Sequence, residues 1–194
     1  MCSSCSSAPS SSRHAGDGVR LWTIGHSTRT IEDFLALLTS NGIGTLADVR
    51  RYPGSRRLPH FGQDALAPSL AGQDIAYEHF PELGGRRRSR PDSPNSAWRD
   101  PAFRGYADYM MTPEFRAGIA RLLDLARGSP TAFMCAEALW WQCHRGLIAD
   151  YLKAAGHEVI HIMGPHKTEK HPFTSAARLV DGKLSYAAAD LLDR

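Results

Sequence analysis

Thr131-Ala-Phe-Met-Cys135-Ala-Glu137-Ala-Leu-Trp140-Trp141-Gln-Cys143-His144-Arg145 is the stretch whose reading decides the fold. Its first five residues are an apolar run of strand length, and its last residues open a helical pattern over 144–155 that Gly156 stops. A strand that discharges through a connector into a helix is the repeating step of an open α/β sheet. Ligands of such sheets bind outside the carboxyl ends of the strands, where these connectors lie. Two thiols, a carboxylate, an imidazole and a guanidinium stand in or beside this connector.

The alternation extends outward in both directions. Residues 21–25 read as a buried strand ending at His26-Ser27. Thr30 caps a helix, and Asp33 completes a capping-box pattern. Ile31, Phe34, Leu35 and Leu38 form its apolar stripe, and Asn41-Gly42 ends it. Residues 45–49 are a second strand running into Arg50-Arg51, and this strand–helix–strand unit predicts parallel, adjacent strands. Residues 53–97 are loop-rich, with a short helix over about 63–70 and a strand over 75–79. The glycine- and arginine-rich segment 84–91 reads as mobile. Asp100-Pro101 and Thr112-Pro113 each pair an N-cap with proline at the first helical position. A strand over 158–163 and a hairpin over 177–186, turning at Asp181-Gly182, close the pattern. The expected fold is α/β: a mostly parallel, Rossmann-like sheet with helices on both faces and a C-terminal β-hairpin. It forms a single domain over residues 19–194 behind a disordered, serine-rich tail over 1–18, in which Cys2 and Cys5 are incidental.

With 194 residues, 42% of them apolar and 22% charged, the chain suits one soluble globular domain. No apolar run approaches the roughly 20 residues that span a bilayer, and the first residues lack the apolar core of a signal peptide. Four cysteines make no disulfide framework in a chain of this length, which favours reduced thiols and a cytoplasmic location without membrane contact. The net charge of +3 does not announce a nucleic-acid binder. Its distribution is more telling: residues 50–90 carry eight arginines against Asp64, Asp74, Glu78 and Glu82. That stretch is either a surface for anions or a set of solvated loops, with Arg86, Arg87 and Arg88 read as solvated.

Parallel strands bring their carboxyl ends to one rim. His26 and Ser27 come from the first, Asp48, Arg50 and Arg51 from the second, Cys135, Glu137, Cys143, His144 and Arg145 from the quoted stretch, and Met163, Gly164 and His166 from the last strand. Cys143 beside His144, Arg145 and a helix start meets the conditions that favour thiolate. Glu137 suits a general base or nucleophile, and His26 and His144 suit proton transfer. Arg50 and Arg145 suit an anionic group, Arg145 because a cation in the first helical turn asks for a compensating anion. Trp140 and Trp141 either seal the core edge or stack on a flat ligand. The catalytic candidates are thus Glu137, Cys143, His144, His26 and Cys135; the substrate-binding candidates are Arg50, Arg145, Ser27, Asp48, Trp140 and Trp141. No metal site is assigned, because Cys-x7-Cys-His is not a standard zinc spacing.

Thr23-Ile-Gly-His-Ser27, Leu46-Ala-Asp-Val-Arg50, Pro53-x-Ser55, Leu83-Gly-Gly85, Cys135-Ala-Glu137, Cys143-His-Arg145 and Val180-Asp-Gly-x-Leu-x-Tyr186 occur in one order. Over residues 21–186 the chain resembles the domain-of-unknown-function 488 family. The resemblance implies a cytosolic α/β domain and marks His26, Ser27, Asp48, Arg50, Cys135, Glu137, Cys143, His144 and Arg145 as motif positions. The chain departs from that pattern at Ala138-Leu-Trp-Trp-Gln142, where polar residues and a proline are usual. The departure points to a pocket altered for a more aromatic ligand.

The expected function is an enzyme, a hydrolase or transferase using Cys/Glu chemistry on a small phosphate-bearing or nucleotide-like substrate. Two alternatives stand beside it: a nucleic-acid-binding module with arginine-rich loops, and a metal or haem protein ligated by Cys135 or Cys143. The sequence leaves the cofactor and the oligomeric state open.

Overall fold

The structure is a computed structural model that describes residues 18–54 and 56–188. Cys2, Cys5 and nearly all of the expected tail lie outside the described residues, as do Ser55 and residues 189–194. Six strands form one sheet: β1 (Arg20–Gly25), β2 (Thr45–Asp48), β3 (Ala76–His79), β4 (Thr131–Cys135), β5 (Glu158–Gly164) and β6 (Lys167–Lys170). Their order is β3-β2-β4-β1-β5-β6. The first five run parallel, and β6 returns antiparallel along the outer edge of β5. A separate hairpin, β7 (Arg178–Val180) and β8 (Lys183–Ser185), turns at Asp181 and Gly182, both with positive φ as a type I′ turn requires.

The expected adjacency of the first two strands is corrected: β4 lies between them and pairs with both. All five residues of β4 are buried, so it takes the centre, where both faces and both edges are covered. The edge strand β6 had no signal, because its residues are all exposed and carry no apolar alternation.

Five helices cover the sheet: α1 (Ile31–Ser40), α2 (Gln63–Ala71), α3 (Pro101–Met110), α4 (Pro113–Gly128) and α5 (Arg145–Ala154). Thr30, Asp100 and Thr112 cap α1, α3 and α4 through their side chains as their positions foretold. Phe34, Leu37 and Leu38 of α1 with Leu66 and Leu70 of α2 pack on Ile24, Leu46, Ala132 and Met134. The opposite face carries Leu21, Ala47, Phe133 and Cys135 against Tyr106, Phe115, Ile119, Leu147 and Ile148. The period of two along β4 therefore sends Cys135 toward the face that α5 covers. Each fully buried Phe or Leu contributes about 1.5–3 kcal/mol relative to exposure.

A buried carboxylate ties the C-terminal segment to this core. Asp150 of α5 accepts hydrogen bonds from the Thr174 backbone and hydroxyl, from Tyr186 Oη and from His171 Nε2. His171 Nδ1 in turn lies 2.9 Å from His161 Nε2. No helix among the described residues is long and apolar enough to cross a membrane.

Candidate active site

The β1–β4 hydrogen-bond ladder continues past the strands themselves. His26 N–H donates to Cys135 O and Ser27 N–H to Ala136 O, while Val49 N–H donates to Met134 O from the other side. Three chain segments thus leave the sheet in register, and His26, Arg50, Cys135 and Glu137 reach one cavity of about 500 Å³. Cys143 and His144 enter it from the start of α5. Gly25 allows the crossing: a Cβ there would stand 1.8 Å from the carbonyl oxygen of Glu137.

Cys135 Sγ, Cys143 Sγ and His144 Nδ1 lie within 4.8 Å of one another. Nδ1 is 3.6 Å from Cys143 Sγ and 3.9 Å from Cys135 Sγ. The other ring nitrogen, Nε2, is 3.2 Å from Val49 O, and a carbonyl only accepts, so Nε2 carries the proton. Nδ1 is left to receive a thiol proton. Burial alone would raise the Cys143 thiol, but hydrogen bonding from Cys135 and the charge of His144 hold it well below the ordinary range. Cys135 moves the opposite way, raised by its hydrogen bond to Cys143 and by burial. The pair therefore presents one thiolate, on Cys143, beside one protonated thiol. The N-terminal end of α5 adds its partial positive charge. Both cysteines are free.

Arg50 is buried and fixed by Asp48, whose carboxylate accepts from its Nε at 2.8 Å and from its backbone N–H at 3.0 Å. Burial opposes the guanidinium charge, but the hydrogen bonds and charge of Asp48 prevail and raise its pKa. Its Nη1 points to His26 Nε2 at 3.4 Å. His26 Nδ1 is 2.9 Å from Ser27 O, so Nδ1 carries the proton and Nε2 offers a lone pair. Burial, aided by the charge of Arg50, lowers His26 to about 4, leaving a neutral imidazole at pH 7. Its ring stacks on Phe61 at 4.2 Å. His26 thus orients Arg50 as an acceptor.

Not every expected site residue reaches the cavity. Arg145 is 1% exposed and spends its guanidinium on Thr23 Oγ1 at 2.6 Å and on the carbonyls of Glu137 and Ala138. It braces the connector and so positions Glu137. The anion its first-turn position asked for is replaced by carbonyl oxygens. Asp48 holds Arg50 from behind. Ser27 adopts φ 50° and, like Met163, Gly164 and His166, does not line the cavity. Trp140 is buried and stacks flat on His161 at 4.5 Å, so the aromatic departure feeds the core. Trp141 is 47% exposed and also stays out of the cavity.

Arg51 lines the cavity too, as its place beside Arg50 led one to expect, whereas the other lining residues had no motif to mark them. Arg51 and Arg86 stand exposed at the rim, Arg51 Nη1 donating to Arg86 O, and Tyr52, Asp100, Phe103, Tyr106 and Gln142 form further parts of the wall. The segment read as mobile is tied down. Arg87 lies 3.6 Å over the Tyr109 ring, Arg90 N–H donates to Asp108, and Tyr106 Oη donates to Leu83 O. The Leu83-Gly-Gly85 pattern was the available signal, since a Cβ on Gly85 would stand 2.9 Å from His144 Nδ1. Gly85→Ala is expected to displace the imidazole from the thiols. Cys143 alkylation at pH 7 should slow by at least about tenfold, because the thiolate fraction falls; mass-spectrometric labelling rates would check this.

Glu137 is exposed and faces the cavity, with no side-chain hydrogen bond or ion pair among the described residues. The groups that converge are thus a thiolate, its proton acceptor, an unpaired carboxylate and three guanidiniums. The three donors Cys135, Cys143 and His144 could also hold one soft metal ion. A family model described as Domain of unknown function DUF488 matches residues 30–152. It takes in Asp48, Arg50, Cys135, Glu137, Cys143, His144 and Arg145, and leaves out His26, Ser27 and the 180–186 motif. No curated protein and no solved structure matches the chain.

Proposed function

The chain belongs to the DUF488 family, whose description names no reaction, and on the geometry of its cavity we propose a thiol-dependent enzyme acting on a small phosphate-bearing substrate. The observation that carries this reading is Cys143 Sγ at 3.6 Å from an imidazole nitrogen whose partner nitrogen is committed to Val49 O. A thiol activated by an adjacent base, with that base oriented by a third group, is the common arrangement of nucleophilic catalysis. Cys143 Sγ, its proton already passed to His144 Nδ1, attacks the electrophilic centre of the substrate. The leaving group departs with the bonding electrons and takes the proton from His144, and the Glu137 carboxylate serves as base in the step that follows. Water or a second acceptor then releases the product, which makes the reaction a hydrolysis or a transfer. Arg50 Nη1, Arg51 and Arg86 supply the cationic side of the cavity for the phosphate.

The same cavity favours a small molecule over a nucleic-acid strand. Arg50, Arg51 and Arg86 gather around one concavity, and Trp140, the expected stacking surface, is spent on His161. A protection experiment tests the reading. Adenosine monophosphate should slow iodoacetamide labelling of Cys143, whereas adenosine should not; equal protection, or none, would count against a phosphate-bearing substrate.

One observation favours a second reading. The mutual approach of Cys135 Sγ, Cys143 Sγ and His144 Nδ1 matches the ligand set of a soft divalent metal, with Nε2 fixed by a backbone carbonyl as metal-bound imidazoles commonly are. Stoichiometric metal in the purified protein would replace the thiol reading with this one.

A further inference from the structure

We propose that Cys135 and Cys143 are a working dithiol couple, with Cys143 attacking the sulfur of a small anionic disulfide and Cys135 resolving the adduct. The proposal rests on the activated Cys143 thiol of the reading above and goes beyond it, giving the same cavity a redox activity on a different anionic substrate.

Three observations carry it. Both thiols are free, both line the cavity, and both lie within reach of one imidazole nitrogen. A single-nucleophile site has no use for a second thiol in contact with the first, and an apolar residue would fill that place at the end of β4. The two sulfurs come from different elements: Cys135 ends a central strand, and Cys143 follows a short 3₁₀ turn, Trp140–Gln142, in the connector. Closing the gap from within 4.8 Å to the roughly 2.05 Å of a disulfide therefore falls to side-chain rotation and the connector.

The step balances as follows. Cys143 thiolate, its proton held on His144 Nδ1, forms a bond to one substrate sulfur; the substrate S–S bond breaks, and the first product thiolate leaves with the electron pair and takes that proton, freeing Nδ1. Cys135 gives its proton to His144 Nδ1 and attacks Cys143 Sγ. The bond from Cys143 to the substrate sulfur breaks, and the second thiolate leaves and takes the proton. The substrate disulfide is reduced by two electrons to two thiols, and the protein dithiol is oxidised to one disulfide. Arg51 and Arg86 at the rim select a disulfide that carries carboxylates.

The test uses the full chain with Cys2→Ser and Cys5→Ser, so that thiols outside the cavity do not exchange. The reduced protein is treated anaerobically with oxidised glutathione and followed by intact mass and peptide mapping. A Cys135–Cys143 disulfide with no retained glutathione is the expected product. It should form roughly tenfold faster than with neutral hydroxyethyl disulfide, because a cationic cavity concentrates an anionic reagent. Adding Cys135→Ser should stop the reaction at one glutathionyl group on Cys143. A parent protein that itself keeps a stable adduct on Cys143 overturns the couple and leaves the nucleophile reading intact. A Cys143 inert to both glutathione disulfide and iodoacetamide ends both. The parent result decides without requiring that any inner-cysteine variant fold.

Discussion

Cys143→Ser is expected to abolish the fast thiol chemistry of the cavity, with iodoacetamide labelling at pH 7 falling by at least roughly a hundredfold. Serine keeps the shape of the side chain but offers no ionisable nucleophile near neutral pH. Cys135 is a poorer substitute, because burial still opposes its ionisation once the hydrogen bond and charge of Cys143, which also raise it, are gone. Turnover of the natural substrate should fall by on the order of 10⁴ or more, as it does when a covalent nucleophile is removed. The pH profile carries the sign. The reactive form is the deprotonated one, and Cys143 is held below the ordinary thiol range, so the wild-type rate should persist as pH falls below that range. It is then lost as pH drops through the lowered pKa. A rate that instead climbs steadily from pH 7 to 9, as for an exposed cysteine, would contradict the assignment of the thiolate to Cys143.

Asp150→Ala is expected to be the most destabilising single change in the chain. It strands four donors at once: the Thr174 backbone and hydroxyl, Tyr186 Oη and His171 Nε2. All of these groups are buried. Breaking a buried, hydrogen-bonded carboxylate costs about 3–5 kcal/mol, which for a chain of this size lowers Tm by on the order of 10 °C. Thermal unfolding followed by circular dichroism reads it directly. Asp150→Asn should fall between, because an amide keeps the shape and one acceptor oxygen but turns the other into a donor facing donors. An unchanged Tm in both variants would show that the C-terminal segment is not held through Asp150.

These two residues also mark what could and could not be read along the chain. The strands and helices around residue 135 were legible because apolar periodicity and N-caps are local. Thr30, Asp100 and Thr112 cap where their sequences placed them. Strand order was not local: the insertion of β4 between β1 and β2 follows from β4 being buried throughout, which only the assembled sheet reveals. The rim at Cys135, Cys143, His144, His26, Arg50 and Glu137 follows from parallel strands ending on one side, and these residues do line one cavity. Arg145, Asp48 and Trp140 carry the same residue chemistry but turn inward, to Thr23 and carbonyls, to Arg50, and to His161. Side-chain direction decides between those fates, and motif spacing does not encode it. Arg86 was hidden for the converse reason, whereas Arg51 was expected on the rim beside Arg50. An arginine in a loop reads as solvated until the fold brings a thiolate and two other guanidiniums alongside.

The most direct measurement compares two alkylating reagents of like size on the chain with Cys2→Ser and Cys5→Ser: anionic iodoacetate and neutral iodoacetamide. The ratio of their rates at Cys143 is set against the ratio for free cysteine under the same conditions. The account predicts that Cys143 favours the anionic reagent relative to free cysteine by roughly tenfold, and that Arg86→Glu erases most of the difference. A ratio equal to that of free cysteine, with no response to Arg86→Glu, would contradict a reactive thiolate set in an anion-selecting cavity.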